Sequence, residues 1–88
     1  MLVNEKHSKE FYDFAKHLNE KAVVWVRDYR NNEWNIISSV AISPCPARVL
    51  NDIQDDYPHC DKMMVLDLDY TYNQMINILI EEEEGEME

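Results

Sequence analysis

Apolar side chains recur every three or four residues in the first part of the chain, and this spacing predicts an amphipathic helix over about 8–20. The stripe expected to face the core consists of Phe11, Phe14, Ala15 and Leu18, and Tyr12 widens it. Ser8 stands just before this stripe and is a residue type that favours the N-cap position of a helix. Lys9 and Asp13 fall on the opposite face, which is therefore expected to contact water.

An alternating pattern follows and predicts a β-hairpin. The segment 22–29 is rich in β-branched and aromatic residues, and in 33–42 apolar residues recur at every second position, the period of a strand. Asn31 and Asn32 lie between the two strands, and asparagine tolerates the positive φ of a tight turn. The first strand is apolar on both faces, so we expect a helix on one face and a second subunit on the other.

The second half of the chain predicts a helix, a strand and a further helix. Pro46 suits the first position of a helix over about 46–56, because an N–H group at that position has no helical partner in any case. Alternating apolar residues predict a strand over about 62–69. Thr71 begins a capping-box pattern before an apolar run, so a last helix is expected over about 71–82.

The element order α-β-β-α-β-α predicts an α+β fold. A three-stranded sheet that contains the hairpin and packs against helices on one face is the simplest two-layer arrangement of these elements. The 88 residues are enough for one small domain, which we assign to residues 1–82. Residues 83–88 are expected to form a disordered acidic tail, because a run of glutamates that begins at Glu81 is unfavourable at the negative end of a helix.

The distribution of charge changes the expectations about function. The chain has 8 Lys and Arg against 18 Asp and Glu, a net charge of −10. Residues 1–44 carry six basic and six acidic side chains, whereas residues 45–88 carry two basic and twelve acidic ones, so the whole net charge lies in the second half. A nucleic-acid backbone would repel such a chain, and we exclude direct binding to DNA or RNA.

The acidic second half is the main candidate for a binding surface. Carboxylates three or four positions apart on a helix lie about 5–6 Å apart, which is of the order of the charge spacing along a nucleic-acid strand. A rigid array of this kind can occupy the basic groove of a nucleic-acid-binding protein. The candidate residues are Asp52, Asp55, Asp56, Asp61, Asp67, Asp69, Glu81 and Glu82. The alternative interpretation is that the charge serves only to keep a small protein in solution.

The hairpin offers a second candidate surface. Trp25 and Trp34 fall on its two strands, and Tyr29 lies beside the turn. These side chains are either cross-strand partners in the core or an exposed aromatic patch of the kind that anchors interfaces. In the exposed case the protein would be an assembly module, either a homo-oligomer, with a homodimer as one form, or a small subunit of a larger complex.

Catalytic and metal-binding patterns are weak. Asp67 and Asp69 share a strand face and are suited to a divalent cation, but no glycine-rich phosphate loop accompanies them. Cys45, His59 and Cys60 lack the short spacing of two cysteines that is typical of zinc sites, and no glycine lies near either thiol to form an oxyanion hole. We therefore expect no enzymatic activity, no cofactor and no metal.

The sequence has no apolar run of signal-peptide or membrane-span length and too few cysteines for a disulfide framework, so we expect a cytoplasmic protein with free thiols. The favoured function is an inhibitor or modulator whose acidic half occludes the nucleic-acid site of a partner protein. In composition, the chain resembles the acidic nucleic-acid mimics that bacteriophages direct against restriction and CRISPR systems.

Overall fold

Helices and strands are interspersed along residues 2–85, the part of the chain that the computed structural model describes. The elements are β1 (Leu2–Val3), α1 (Glu5–His17), β2 (Ala22–Asp28), β3 (Glu33–Val40), α2 (Ala47–Asp56), β4 (Cys60–Asp67) and α3 (Tyr72–Gly85). The predicted order α-β-β-α-β-α is confirmed from α1 to α3. The two-residue strand β1 is an addition, and it is too short to produce a recognisable pattern in the sequence.

The central strand of the sheet is β2. It pairs antiparallel with β3 on one side and with β4 on the other, while β1 pairs parallel with the first residues of β3, so the order is β1-β3-β2-β4. The strands β3 and β4 therefore run in the same direction, and α2 connects them. The predicted α+β fold is confirmed, with its three long strands in one sheet. We call the end of the sheet at the β2–β3 turn (residues 28–33) the hairpin end, and the opposite end the far end.

Both asparagines of the predicted turn contribute to its geometry. Asn32 adopts a φ of 55°, in the left-handed region that asparagine tolerates better than most residues. The Asn31 side chain accepts a hydrogen bond of 3.0 Å from the Glu33 N–H at the start of β3. The hairpin prediction is therefore confirmed in its strands and in its turn residues.

The structure corrects both the start and the buried face of the first helix. Asn4 rather than Ser8 is the N-cap of α1, and its side chain accepts a hydrogen bond from the His7 N–H. The buried residues of the helix are Ser8, Tyr12 and Ala15, of which Tyr12 and Ala15 belong to the predicted stripe. The small side chains of Ser8 and Ala15 let the helix approach the sheet closely, and the Ser8 hydroxyl accepts a hydrogen bond of 3.3 Å from the Ile36 N–H. Phe14 and Leu18, which were expected in the core, are 60% and 50% exposed.

The main core lies between the sheet and the two helices α1 and α3. Trp25 and Trp34 are fully buried there, on neighbouring strands of the hairpin. The other buried residues of this cluster are Tyr12, Ala15, Val23, Ile36, Leu66, Leu68, Met75 and Leu79. The large indole and tyrosine rings supply much of the apolar area that a domain of this size can bury.

The opposite face of the sheet is also buried within the chain. Ala22 and Val24 are fully buried and Val26 is 5% exposed, although these residues point away from the main core. The helices α1 and α3 pack on the first face, so the connection from β3 to β4, which contains α2, is the segment that remains to cover the second. The expectation that a second subunit covers this face is therefore wrong, and so is the two-layer arrangement with helices on one face.

The last helix begins as predicted but ends later. The Thr71 hydroxyl accepts a hydrogen bond of 3.1 Å from the Gln74 N–H, and the Gln74 side chain accepts one of 2.8 Å from the Thr71 N–H, so the capping box is confirmed. The helix continues to Gly85, three residues beyond the predicted end at 82. The predicted tail therefore starts too early, and its last part, residues 86–88, lies outside the described residues.

Two other boundaries differ from the prediction by one or two residues. Pro46 is the N-cap of α2 with extended backbone angles, and the helix begins at Ala47. The strand β4 covers Cys60–Asp67 instead of 62–69. Within residues 2–85, no helix combines the length and the hydropathy that crossing a lipid bilayer requires.

Candidate acidic interaction surface

The C-terminal ends of α2 and α3 lie at the same end of the sheet. At the end of α3, Glu83 accepts a hydrogen bond from Trp34 near the start of β3. Just after α2, the His59 carbonyl accepts a hydrogen bond of 3.1 Å from the Tyr29 N–H in the hairpin turn. Both helices therefore direct the negative ends of their dipoles toward the hairpin end.

Exposed carboxylates accumulate on these two helix ends. They are Asp52, Asp55, Asp56, Glu81 and Glu84, and we call this set the acidic pole. None of the five forms an ion pair with another residue in the described range 2–85. The end of α2 shares a cleft with Val26 of the second face, whereas α3 packs on the first, so the pole lies on both sides of the hairpin end. A partner has to reach across this end to contact all of it.

Two of the predicted partner-binding carboxylates already have partners within the fold. Asp61 accepts two hydrogen bonds from the Arg27 guanidinium, at 2.9 and 3.1 Å, in a bidentate arrangement. Glu82 lies 2.7 Å from the Lys62 ammonium. Both pairs link neighbouring elements at the hairpin end, so these carboxylates are less available to a partner than those of the acidic pole.

The remaining two predicted carboxylates lie apart from the acidic pole. Asp67 ends β4 at the far end of the sheet, where it accepts a hydrogen bond from the Ser43 hydroxyl. Asp69 is exposed in the turn that follows. Across residues 2–85, no group of three or more His, Cys, Asp or Glu side chains is placed to hold a metal ion. The expected array of eight carboxylates is thus divided between the two ends of the molecule.

The basic side chains of the hairpin end are neutralised by neighbours. Arg27 also lies 3.6 Å from the Glu83 carboxylate, in addition to its pair with Asp61. Asp28 and Arg30 form a pair at 2.6 Å, and the hydrogen bonds from the Arg30 side chain and backbone lower the pKa of the Asp28 carboxyl to about 2. The charges of the acidic pole consequently face solvent beside Arg27, Asp28 and Arg30, whose charges are paired within the fold.

A cleft of about 520 Å³ opens at the hairpin end. Its apolar lining includes Phe11, Val26, Ile37 and Pro58. Its charged lining is Asp56 together with the paired Asp28 and Arg30. Asp56 belongs to the acidic pole, so the cleft and the pole are continuous. Sequence reasoning missed this cleft because its walls come from α1, the two hairpin strands and the segment after α2.

Of the three aromatic residues in the second candidate surface, only one is exposed. Trp25 and Trp34 are fully buried, so they cannot form the exposed patch that the assembly interpretation requires. Tyr29 is 52% exposed, and its hydroxyl lies 3.1 Å from Nδ1 of His59, whose ring packs edge-on against it. The two tryptophans are therefore core residues, and Tyr29 is the one predicted aromatic that a partner can reach.

Both cysteines have free thiols, as expected. The Cys60 thiol donates a hydrogen bond of 3.0 Å to the Lys62 carbonyl rather than pairing with the adjacent His59. Burial raises the pKa of the Cys60 thiol, which disfavours the thiolate that a nucleophile needs. Cys45 is half-buried beside Pro46, before α2.

Comparison with known proteins adds no relative, because no family model, no curated protein and no solved structure matches this chain.

Proposed function

We propose that this chain is a non-enzymatic inhibitor or modulator that binds a partner protein through the acidic pole and occludes the partner's basic nucleic-acid-binding surface. The observation that carries the proposal is the acidic pole itself. Its five carboxylates are exposed, they have no ion pair among residues 2–85, and they lie at the two helix ends whose dipoles add negative potential.

The geometry of α2 suits this role. Asp52, Asp55 and Asp56 lie on a regular helix, where carboxylates three or four positions apart are separated by about 5–6 Å. A helix holds these charges in place before binding, so little ordering entropy is lost on association. Lysine and arginine side chains that normally bind phosphates would pair with the carboxylates instead, and the bulk of the domain would block the nucleic acid.

The cleft beside the acidic pole can receive a side chain of the partner. A long basic side chain from the partner can place its aliphatic stem against Phe11 and Ile37 and its charged group near Asp56. Such a side chain would act as an anchor, because apolar burial and charge pairing would occur in one place. An exposed patch of hairpin aromatics, the basis of the alternative function, has no support because Trp25 and Trp34 are buried.

The test is capture of partners from nuclease-treated lysate of the source cell, followed by elution in a salt gradient. We expect a nucleic-acid-binding protein to elute at moderate salt, because exposed charge pairs are screened over about 8 Å at physiological ionic strength. Added DNA or RNA should displace the same protein. A partner that resists both high salt and added nucleic acid would contradict the proposal.

Two variants of equal charge make this test specific for the acidic pole. The pole variant combines Asp52→Asn, Asp55→Asn, Asp56→Asn and Glu81→Gln. The control variant combines Glu10→Gln, Asp13→Asn, Glu20→Gln and Asp69→Asn, which are placed elsewhere on the molecule. Each removes four negative charges. The pole variant should lose the partner and the control should keep it, whereas equal losses would show that only net charge matters.

A further inference from the structure

One flank of α1 is apolar and exposed. The helix buries Ser8, Tyr12 and Ala15 against the sheet, yet Phe14 and Leu18, four positions apart, are 60% and 50% exposed. Aliphatic and aromatic side chains at this spacing form a continuous strip on a helix surface. The helix therefore has one apolar face in the core and a second one that the described chain leaves uncovered.

The outer edge of β3 has no neighbouring strand over its second half. The short strand β1 pairs only with Glu33 and Trp34. Next to these, the Ile36 N–H and carbonyl interact with Ser8 and His7 of α1. From residue 37 to residue 40, no strand of the described sheet lies beside this edge. Unpaired backbone groups at a sheet edge are a template for another strand.

The two edges of the sheet differ in their protection against such pairing. Between Trp34 and Val40, β3 contains no charged residue and no proline. The opposite edge strand, β4, carries Asp61, Lys62 and Asp67 along its length. Charged residues and prolines are the usual means of blocking edge-to-edge association. Each edge strand contains a bulge, at Ile37 in β3 and at Asp61 in β4, but only β4 adds charged residues to it. The β3 edge is therefore the less protected of the two.

The exposed strip and the uncovered edge lie side by side. His7, whose Nε2 is 3.2 Å from the Ile36 carbonyl, falls on the same flank of α1 as Phe14 and Leu18. We propose that a second copy of this chain docks here. In the dimer, β3 pairs antiparallel with β3 of the partner, and the α1 strip packs against its own counterpart. A two-fold axis relates two identical strands in this antiparallel way, so the contact is closed and self-complementary.

The charge distribution favours a second copy as the occupant. The β3 edge and α1 lie in residues 1–44, whose formal charge is zero, whereas residues 45–88 carry −10. Contact through α1 and β3 joins the neutral parts of two molecules and leaves both acidic poles free. Contact through α2 or α3 would instead bring like charges together. This proposal does not depend on the proposed function, because the acidic pole takes no part in it.

Sedimentation over a concentration series tests the dimer. We expect the average mass to rise from 10.5 kDa toward twice this value, and more readily at high salt, because salt screens the repulsion between two acidic chains but not apolar burial. Phe14→Lys combined with Leu18→Lys should keep the chain at 10.5 kDa at every concentration. Because both side chains are exposed, the variant should fold normally, which circular dichroism checks.

A matched control and hydrogen exchange locate the interface. Tyr29→Lys combined with Tyr70→Lys replaces two exposed aromatic residues outside the proposed interface, adds the same charge as the α1 variant, and should leave the dimer intact. The pole variant should also dimerise. Amides in residues 37–40 should exchange more slowly as concentration rises, while those of β4 should not change. A chain that is monomeric at every concentration overturns the proposal, as does a dimer that the α1 variant does not weaken. Amides in residues 37–40 that exchange more slowly only when a different protein is added would also overturn it.

Discussion

The indole N–H of Trp34 donates a hydrogen bond of 2.9 Å to the carboxylate of Glu83, 49 positions later in the chain. Trp34 is fully buried in the hairpin, and Glu83 lies in the last turns of α3. The same carboxylate lies 3.6 Å from Arg27 on β2. These contacts hold the end of α3 against the sheet, and they explain why the helix continues through a glutamate run that the helix dipole alone would destabilise.

Replacing Glu83 should therefore destabilise the fold, although it removes one negative charge from a very acidic chain. Glu83→Ala leaves the buried Trp34 N–H without its acceptor, which should lower the free energy of unfolding by about 1–3 kcal/mol. Glu84→Ala removes the same charge from an exposed neighbour and should change it by less than about 0.5 kcal/mol. Urea unfolding of both variants measures the difference, and equal effects would show that the Trp34 contact contributes nothing.

The capping box at the other end of α3 gives a second prediction. Thr71→Ala removes the acceptor of the Gln74 N–H and should lower the free energy of unfolding by about 1 kcal/mol. Thr71→Ser keeps a hydroxyl and should restore most of this stability. Asn73→Ala, at an exposed position within the helix, serves as the control and should not be destabilising. If Thr71→Ser were as unstable as Thr71→Ala, the hydroxyl would not be the cause.

The capping box and the hairpin were predictable because they are local. In the capping box and in the hairpin turn, the interacting residues lie within four positions of each other, and the two strands that the turn joins are adjacent in the sequence. The buried face of α1 was not predictable in the same way. The predicted stripe of this helix is broad, and periodicity does not determine which of its edges faces the sheet: the edge with Tyr12 and Ala15 is buried, whereas Phe14 and Leu18 are exposed. The small size of Ser8 and Ala15 was the signal that could have identified it.

The candidate site was predictable in composition but not in arrangement. The exposure of Asp52, Asp55 and Asp56 follows from the amphipathic pattern of α2. The pairing of Asp61 with Arg27 does not, because 34 positions separate these residues and only the pairing of β2 with β4 brings them together. The cleft has the same origin, since its walls come from separate elements. Long-range strand pairing thus determines which carboxylates remain available.

Burial of both tryptophans predicts the fluorescence behaviour of the native protein. Acrylamide should quench Trp25 and Trp34 weakly in the folded chain and strongly after unfolding in urea, since both side chains are fully buried. Trp25→Ala should lower the free energy of unfolding by about 3–5 kcal/mol, a large part of the stability of a domain of this size. Strong quenching of the native protein would place at least one indole at the surface and would support the hypothesis of an interface formed by the hairpin aromatics.

The pair between Asp28 and Arg30 predicts a specific response to acid. Hydrogen bonds from Arg30 lower the pKa of Asp28 from 3.8 to about 2, so the ionised carboxylate favours the folded state. This contribution is fully present above about pH 4. It is lost as the pH falls through the folded-state pKa, because protonation then removes the acceptor of the Arg30 hydrogen bonds. The pair is exposed, so its effect should be small and should weaken further with added salt.

Carboxyl NMR titration measures this pKa directly. Asp28 should titrate near 2 in the native protein and return toward 3.8 in Arg30→Gln, which removes the side-chain donor. In urea unfolding, Asp28→Asn should be less stable than the native chain near neutral pH, and the difference should disappear at a pH below the folded-state pKa. A normal titration midpoint for Asp28, or a stability difference that does not change with pH, would show that the pair does not stabilise the hairpin turn.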